Sequence, residues 1–305
     1  MRLRRIGPII TPETHPSLGT NINGPSLIRT PSWIPGRPGK YSLYFGHHQG
    51  KHIRLAYADD LSGPWRIRHE GALQLDDTPC HNHIASPDVH VDESRQRIIM
   101  YYHGPILSDA KALKDPLTRK YPMLGGQRTL VATSHDGVNF TSNTEILGSS
   151  YMRVFHWRGM AYGLAMPGLL YRSKDGLTDF REGPTVFDVN MRHSGIQLHG
   201  DRLTVFYSNA GDAPERILAS DILLNSDWHS WQPGKAVTVL SPDVVYEGGD
   251  LPIGQSIRGA AHSRCRQLRD PFFFEDRCGA YLLYSIAGEM GLGLAESEPS
   301  SNPPA

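Results

Sequence analysis

The sequence predicts an all-β fold, a five-bladed β-propeller closed by its own N-terminal strand. Short runs rich in Val, Ile, Leu, Tyr and Phe recur between turns of Gly, Pro, Asn and Asp, which is typical of strands. A unit of three such runs repeats five times along the chain. The last copy lacks a fourth, outer run, which the start of the chain can supply. A β-sandwich also has regular strands, but it does not predict this displaced strand.

Each unit contains an entry strand, a strongly β-prone second strand and a third strand that often ends in an acidic turn. The entry strands begin near Pro25, Pro87, Tyr151, Ser194 and Asp270. The second strands are Lys40–Phe45, Arg97–Tyr102, Met160–Ala165, Arg202–Tyr207 and Ala280–Ser285. The third strands begin at Ile53, Arg128, Gly168, Arg216 and Leu292. Outer strands follow the turn aromatics Trp65, Phe140, Phe180 and Trp231, and the run Arg2–Thr11 is expected to complete the fifth unit.

The amino-acid composition argues against several classes of protein. The 305 residues include 31 Lys and Arg against 31 Asp and Glu, so the chain lacks the basic excess of a strong nucleic-acid binder. No apolar run is long enough to span a membrane or to act as a secretory signal, so no membrane partner and a cytoplasmic location are expected. We expect one propeller domain over residues 1–296 and a disordered tail over 297–305. The oligomeric state is not predicted.

The architecture predicts where the functional residues converge. Entry ends of inner strands crowd together at one mouth of a propeller channel, and the loops that leave the second strands reach the same mouth. The polar residues at these positions are Asn23, His48, His83, Asp88, His103, Tyr151, Arg153, Arg192, His193, Arg269, Asp270 and Glu289. Carboxylates and imidazoles gathered in this way can act as general acids and bases. For any single Asp or Asn, an ordinary turn role is the competing interpretation.

Several motifs carry a resemblance to a known family. The Arg269-Asp270-Pro271 entry before FFFED, together with the repeated unit, resembles the five-bladed propeller glycoside hydrolases, including arabinanases, xylosidases, invertases and levansucrases. The segments NGPSLI, HIASPDVHVD and YSIAGEMGLGLAE are most similar to an uncharacterised glycosidase-like group within this fold. The resemblance covers about residues 1–296.

The resemblance implies three carboxylates around one sugar, and here the pattern departs from it. Asn23 stands where a base aspartate is common, and Tyr151 and Arg153 stand where an acid glutamate is expected. Asp88 is therefore the preferred base or nucleophile, and Asp270 the residue that binds sugar hydroxyls or tunes its neighbours. Glu289 and His193 remain alternatives for the acid.

Arginines and histidines extend the candidate set. Arg153, Arg192 and Arg258 can bind an acidic sugar through their forked donors, or can pair with the aspartates instead. Asn23, His48, His83, His103, Tyr151 and Arg269 complete the predicted substrate-binding residues. The histidines also offer ligands to a metal ion in the channel, but their spacing matches no dedicated zinc pattern and the prediction requires no cofactor.

The leading hypothesis is a glycoside hydrolase-like enzyme that acts on a small glycoside or oligosaccharide by carboxylate and histidine acid–base catalysis in the channel. One alternative is a lyase or isomerase directed at uronates that uses His and Tyr. Another is a sugar-binding propeller without catalysis. All three have a small carbohydrate as the partner.

Overall fold

The computed structural model describes residues 2–277 and 279–298, which form five four-stranded antiparallel sheets. The predicted five-bladed propeller is therefore confirmed. Blade I contains β2 (Asn23–Arg29), β3 (Tyr41–Gly46), β4 (Arg54–Ala58) and β5 (Arg66–Arg68). Blade II contains β6 (Ala85–Asp92), β7 (Arg97–Pro105), β8 (Gln127–Ser134) and β9 (Thr141–Ser142). Blade III contains β10 (Arg153–Trp157), β11 (Met160–Ala165), β12 (Leu169–Ser173) and β13 (Arg181–Thr185). Blade IV contains β14 (Met191–His199), β15 (Arg202–Asn209), β16 (Ile217–Leu223) and β17 (Val237–Leu240).

Blade V closes the ring with both ends of the chain. Its order is β18 (Arg269–Asp276), β19 (Gly279–Ser285), β20 (Leu292–Glu298) and then β1 (Arg2–Ile10) as the outermost strand. The predicted N-terminal closing strand is thus present. Strand β20 continues to Glu298, so Ser297 and Glu298 of the predicted tail pair with β1, and the rest of that tail, 299–305, lies outside the described residues.

Helical structure is confined to short segments. The helices α1 (Asp109–Ala112) and α2 (Pro116–Lys120) lie in an insertion between β7 and β8. Single 3-10 turns occupy Pro12–Thr14, Leu75–Asp77, Pro122–Leu124, Trp228–Ser230 and Val245–Glu247. None of the helices in the described part of the chain is both long and apolar enough to cross a bilayer.

The hydrophobic core lies between blades rather than within them. One cluster joins Leu27 and Leu43 of blade I to Leu283 and Leu294 of blade V, and similar clusters fill the other blade junctions. Because a lone blade leaves both faces of its sheet uncovered, each repeat depends on its two neighbours for burial.

A repeated turn also connects successive blades. In blade II the Asp136 carboxylate accepts the backbone N–H of Val138 at 2.8 Å, and Tyr44 of blade I donates its hydroxyl to the Gly137 carbonyl at 2.7 Å. The same Ser-x-Asp-Gly turn recurs in blade III, where Tyr101 of blade II donates to Gly176 at 2.6 Å. These turns link blades II and III to the blades that precede them.

The inner strands begin with an irregularity that shapes the channel mouth. Pairing shifts register at the start of β2, β6, β14 and β18. At three of these bulges a residue with positive φ precedes a proline, namely Gly24 (φ 56°), Ser86 (φ 46°) and Asp270 (φ 49°). Positive φ is costly for residues other than glycine, and such strain concentrates at functional sites. The mouth of the channel is therefore where a functional site is expected.

Candidate active site in the central pocket

A small pocket opens where the entry ends of the inner strands converge. Its volume is about 160 Å³, below the roughly 300–1,000 Å³ of pockets for drug-sized ligands. Of the predicted residues, it is lined by Asn23, His48, His83, Tyr151, Arg192, His193 and Arg258. Ser86, an entry-turn residue of blade II, lines it as well, and so do Met123, Gln127 and Met166, which are outside the predicted set. The space suits a single small sugar unit.

The remaining predicted residues are buried in the wall around the lining. Asp88, His103, Arg153, Arg269, Asp270 and Glu289 are each at most 4% exposed. No carboxylate of the described residues lines the pocket, so the predicted catalytic carboxylates do not face its space directly. Instead, two of them contact the histidines that do.

The first of these contacts joins His193 to Asp270. The imidazole Nδ1 lies against Oδ1 of Asp270, and Ser285 donates its hydroxyl to Oδ2 at 2.9 Å. Burial raises the pKa of the Asp270 carboxyl. The positive groups and hydrogen-bond donors of His193, Arg192 and Arg269 lower this pKa by more, so the carboxylate stays ionised. Burial lowers the pKa of His193 to about 4 and Asp270 opposes this shift, so the ring is neutral at neutral pH. With Nδ1 committed to the carboxylate, Nε2 is the nitrogen available to a ligand.

The second contact joins His48 to Glu289. The His48 Nδ1 lies 2.7 Å from Oε2 of Glu289, which also accepts the Asn21 amide at 2.7 Å and the Asn23 amide at 3.3 Å. Burial raises the pKa of the Glu289 carboxyl, but the contacts with His48 and Arg269 lower this pKa by more, so the net shift is downward. Asn23, at the position where the resemblance implies a base, thus orients a carboxylate that lies in another blade.

Three aromatic rings form a stack beside the pocket. Tyr151 lies between His193, at 3.6 Å between ring centroids, and His103, at 3.8 Å. His103 is 1% exposed, and neither of its ring nitrogens has a hydrogen-bond partner among the described residues. Burial holds the pKa of His103 well below its usual range, so the ring is neutral. Burial likewise raises the pKa of Tyr151, which keeps its proton.

Arg153 contacts the inner strands of blades II, IV and V. It donates to the carbonyls of Pro87 in blade II at 2.6 Å and Ser194 in blade IV at 2.7 Å. Its guanidinium also lies 5.2 Å from the ring centroid of Phe272 in blade V. This residue of blade III therefore connects blades across the axis rather than lining the pocket.

Asp88 is paired with groups around the axis. Its carboxylate lies 3.3 Å from Arg153 Nη1 and 2.9 Å from His90 Nε2, and it accepts the Val154 N–H at 2.8 Å. Burial raises the pKa of the Asp88 carboxyl. The contacts with His90 and Arg153 lower this pKa by more, so the net shift is downward. The structure does not bring this carboxylate into the lining beside His193.

Glu215, which is not among the predicted residues, pairs with two of the predicted arginines. Its carboxylate is completely buried and lies 3.1 Å from Arg269 Nε and 3.6 Å from Arg192 Nε. Ser208 donates to it at 2.7 Å. Glu215 lies in the loop after β15, which reaches the same mouth, but nothing in its local sequence distinguishes it from an exposed turn residue.

The described residues contain no group of three or more His, Cys, Asp or Glu side chains arranged to hold a metal ion. The histidines are spread around the mouth, and His48 and His193 are already held by carboxylates.

Comparison with known proteins found one similar curated protein. The chain is 33% identical over 306 residues to "Uncharacterized protein R118" of Acanthamoeba polyphaga mimivirus, covering 89% of this chain and 82% of the viral protein. No family model matches the sequence.

Solved structures with the same fold are glycoside hydrolases. The GH43_1 enzyme from Xanthomonas citri complexed with xylose superposes with a TM-score of 0.62 at 11% identity, over 98% of this chain and 92% of that enzyme. The catalytic domain of the Coprinopsis cinerea GH62 α-L-arabinofuranosidase superposes with a TM-score of 0.58 at 13% identity, over 97% of each chain. At these identities the likeness shows the fold, which is that of the five-bladed propeller glycoside hydrolases.

Proposed function

We propose that this chain, which belongs to the same family as the mimivirus protein R118 and has the five-bladed propeller fold of glycoside hydrolases, is a glycoside hydrolase-like enzyme acting on a small glycoside. The observation that carries the proposal is the His193–Asp270 pair at the wall of the pocket. A buried carboxylate that holds one imidazole nitrogen selects the tautomer whose other nitrogen can take a proton.

The two histidines have different roles in this proposal. His193, neutral and oriented by Asp270, is the base that activates a water molecule for attack on the anomeric carbon. His48, held by Glu289 through Nδ1, acts as an imidazolium that carries a second proton on Nε2 and donates that proton to the leaving oxygen. Water supplies the new C–O bond, the glycosidic C–O bond breaks, and the proton taken by His193 balances the one released by His48.

The size of the pocket supports a small substrate. A volume of about 160 Å³ corresponds to about five water molecules at roughly 30 Å³ each. We infer that Arg153, which joins the inner strands of blades II and IV, closes the inner end of the pocket. One terminal sugar unit fits this shape better than the middle of a polymer.

The test is release of reducing sugar from a panel of aryl glycosides of pentoses, hexoses and hexuronic acids. His193→Gln and Asp270→Asn should each lower kcat by about 10²–10⁴-fold, the usual contribution of a positioned acid or base. Asparagine tolerates the positive φ of Asp270, so this variant should fold. His156→Gln, at an exposed position of β10, is the matched control and should keep full activity.

Three outcomes would contradict this assignment. Unchanged turnover in both His193→Gln and Asp270→Asn would remove the proposed base. A large loss of kcat in Asp88→Asn with unchanged thermal unfolding would return the base role to Asp88. Stabilisation by sugars without any product would support a binding propeller instead.

A second reaction, elimination from a uronate, is favoured by the absence of a carboxylate among the described lining residues. In that case His193 would take the proton next to the sugar carboxylate, a C=C bond would form, and the leaving oxygen would receive its proton from His48. The product absorbs in the near ultraviolet and hydrolysis products do not, so absorbance during turnover distinguishes the two reactions.

A further inference from the structure

Arg258 differs from the other arginines around the pocket. Arg153 pairs with Asp88 at 3.3 Å, and Arg192 and Arg269 pair with Glu215 at 3.6 and 3.1 Å. Arg258 lines the pocket, yet no carboxylate of the described residues lies within 4.0 Å of its guanidinium. An arginine that is partly buried without a counter-ion keeps its charge available for a ligand.

Contacts on both sides hold Arg258 in place. Its Nη2 donates to the Val189 carbonyl at 2.8 Å, and its Nη1 lies 3.3 Å from the Met166 sulfur. Arg192 donates to the carbonyls of both flanking residues, Ile257 at 3.0 Å and Gly259 at 3.3 Å. The side chain is therefore positioned before any ligand arrives, which lowers the entropy cost of binding.

The Glu215 carboxylate holds the two arginines that contact the residues next to Arg258. Arg192 and Arg269 both donate to the Gly259 carbonyl, and both pair with the completely buried Glu215 carboxylate. One carboxylate thus orients the two guanidinium groups that hold the Arg258 segment. Because it acts through these arginines and does not line the pocket, Glu215 is a positioning residue.

The rest of the lining favours an acidic ligand. The described lining includes the side chains of Asn23, His48, His83 and Gln127, which can donate hydrogen bonds, but no carboxylate that would repel an anion. Arg258 is one positive charge, which matches a carboxylate better than a phosphate carrying about −1.5 to −2. The small volume leaves room for one sugar unit that bears this group.

We propose that the pocket selects a sugar that carries a carboxylate, a hexuronic acid or its glycoside, and that Arg258 binds the carboxylate while Glu215 positions Arg258. This inference rests on the proposed function, since it names the substrate class of the same pocket. A guanidinium can bind the carboxylate through two parallel N–H donors, which is a stronger contact than a neutral hydrogen bond.

Calorimetric titration of the full chain with matched sugars tests the proposal. Glucuronate and galacturonate are compared with their methyl esters, which keep the shape and lose the charge, and with glucose and galactose. We expect at least one of the two acids to bind at least tenfold more tightly than its ester, about 1.4 kcal/mol. Arg258→Gln should abolish this ratio by weakening acid binding, and Arg258→Lys should restore part of it.

The control is Arg264→Gln, at an exposed position of the same loop outside the pocket lining, which should keep the full acid-to-ester ratio. Glu215→Gln should lower that ratio even where the variant stays folded by circular dichroism, a readout that a purely structural role would not move.

Several outcomes would overturn the inference. Equal affinity for acid and ester, an unchanged ratio in Arg258→Gln, or tighter binding of a sugar phosphate than of the uronate would each do so while the proposed function stands. If none of the acids, esters or neutral sugars binds, the proposed function fails as well.

Discussion

At the scale of single residues, the chemistry of the pocket depends on two pairs, each formed by a buried carboxylate and a histidine. The carboxylates of Asp270 and Glu289 are buried, and each contacts a histidine that lines the pocket. Burying an ionised carboxylate without partners is very unfavourable, so these groups are retained only together with the imidazoles and arginines around them. The reactive atoms offered to a ligand are consequently nitrogens rather than carboxylate oxygens.

The proposed role of His193 as the base predicts how activity depends on pH. A base must be unprotonated, and burial lowers the pKa of His193 to about 4. We expect the pH profile of kcat to have an acid limb, on which kcat decreases as the pH falls through about 4 and His193 becomes protonated. Initial rates at constant ionic strength, with circular dichroism at each pH, measure this limb. A limb centred at or above 6.5, the ordinary histidine value, would contradict the assignment.

The free energy of unfolding should also depend on pH, over the range between the folded and unfolded pKa values of His193. The unfolded imidazole has a pKa of about 6.5 and takes up its proton first. Because the folded pKa is lower, the contribution of His193 to the free energy of unfolding is complete above about 6.5 and is lost as the pH falls toward about 4. As a control, Asp270→Asn should move the activity limb to lower pH, since the Asp270 carboxylate raises the imidazole pKa.

The strand elements determine how these residues reach one place. The bulges at the entry ends of β2 and β6 bring Gly24 and Ser86 of adjacent blades into contact. A Cβ on Gly24 would lie 2.8 Å from the Ser86 hydroxyl oxygen and 3.1 Å from its Cα. Glycine is therefore required at this position both for its φ of 56° and for the close approach.

Gly24→Ala should destabilise the protein by about 2–5 kcal/mol. Roughly 1–2 kcal/mol comes from the left-handed backbone and about 1–3 kcal/mol from overpacking against Ser86. Gly200→Ala is the matched control, because Gly200 has a φ of 59° and a Cβ at this position would have no neighbouring atom within 4 Å. Urea unfolding measures both variants. An equal loss in the two would show that the contact with Ser86 costs nothing.

The closing strand β1 holds the whole ring together. It pairs with β20 over Arg2 to Ile10, so the two ends of the described chain share one sheet. On this strand Arg5 donates to both oxygens of Glu247, at 2.9 and 3.0 Å, and Glu247 is completely buried in the loop before blade V. Side-chain contacts therefore stabilise the closed ring together with the backbone hydrogen bonds between β1 and β20.

Arg5→Ala should lower the free energy of unfolding by about 3–5 kcal/mol, because it leaves the Glu247 carboxylate buried without its cation. The matched control is Arg4→Ala on the same strand. Arg4 pairs with Glu296 at the surface, and its loss should cost no more than about 1 kcal/mol. Thermal and urea unfolding give the comparison, and a similar small loss in both variants would mean that the Arg5–Glu247 pair does not stabilise closure.

The sequence by itself determined the strands, their grouping into blades and the strand that closes the ring. The predicted second strand Met160–Ala165 is β11 residue for residue, because alternating side chains and turn residues are local properties of the chain. Seven of the residues predicted for the site line the pocket, and most of these lie at equivalent positions of the repeat, which converge on the axis.

Only the tertiary structure decided which of those residues line the pocket. Asp88 is held by Arg153 and His90, Asp270 lies behind His193, and Glu215 positions a loop that sequence reasoning could not relate to it. Side-chain direction after a bulge, and the choice of partner for each buried charge, depend on contacts between residues far apart in the chain. No local pattern encodes those contacts, because their free energy exists only once the blades have closed.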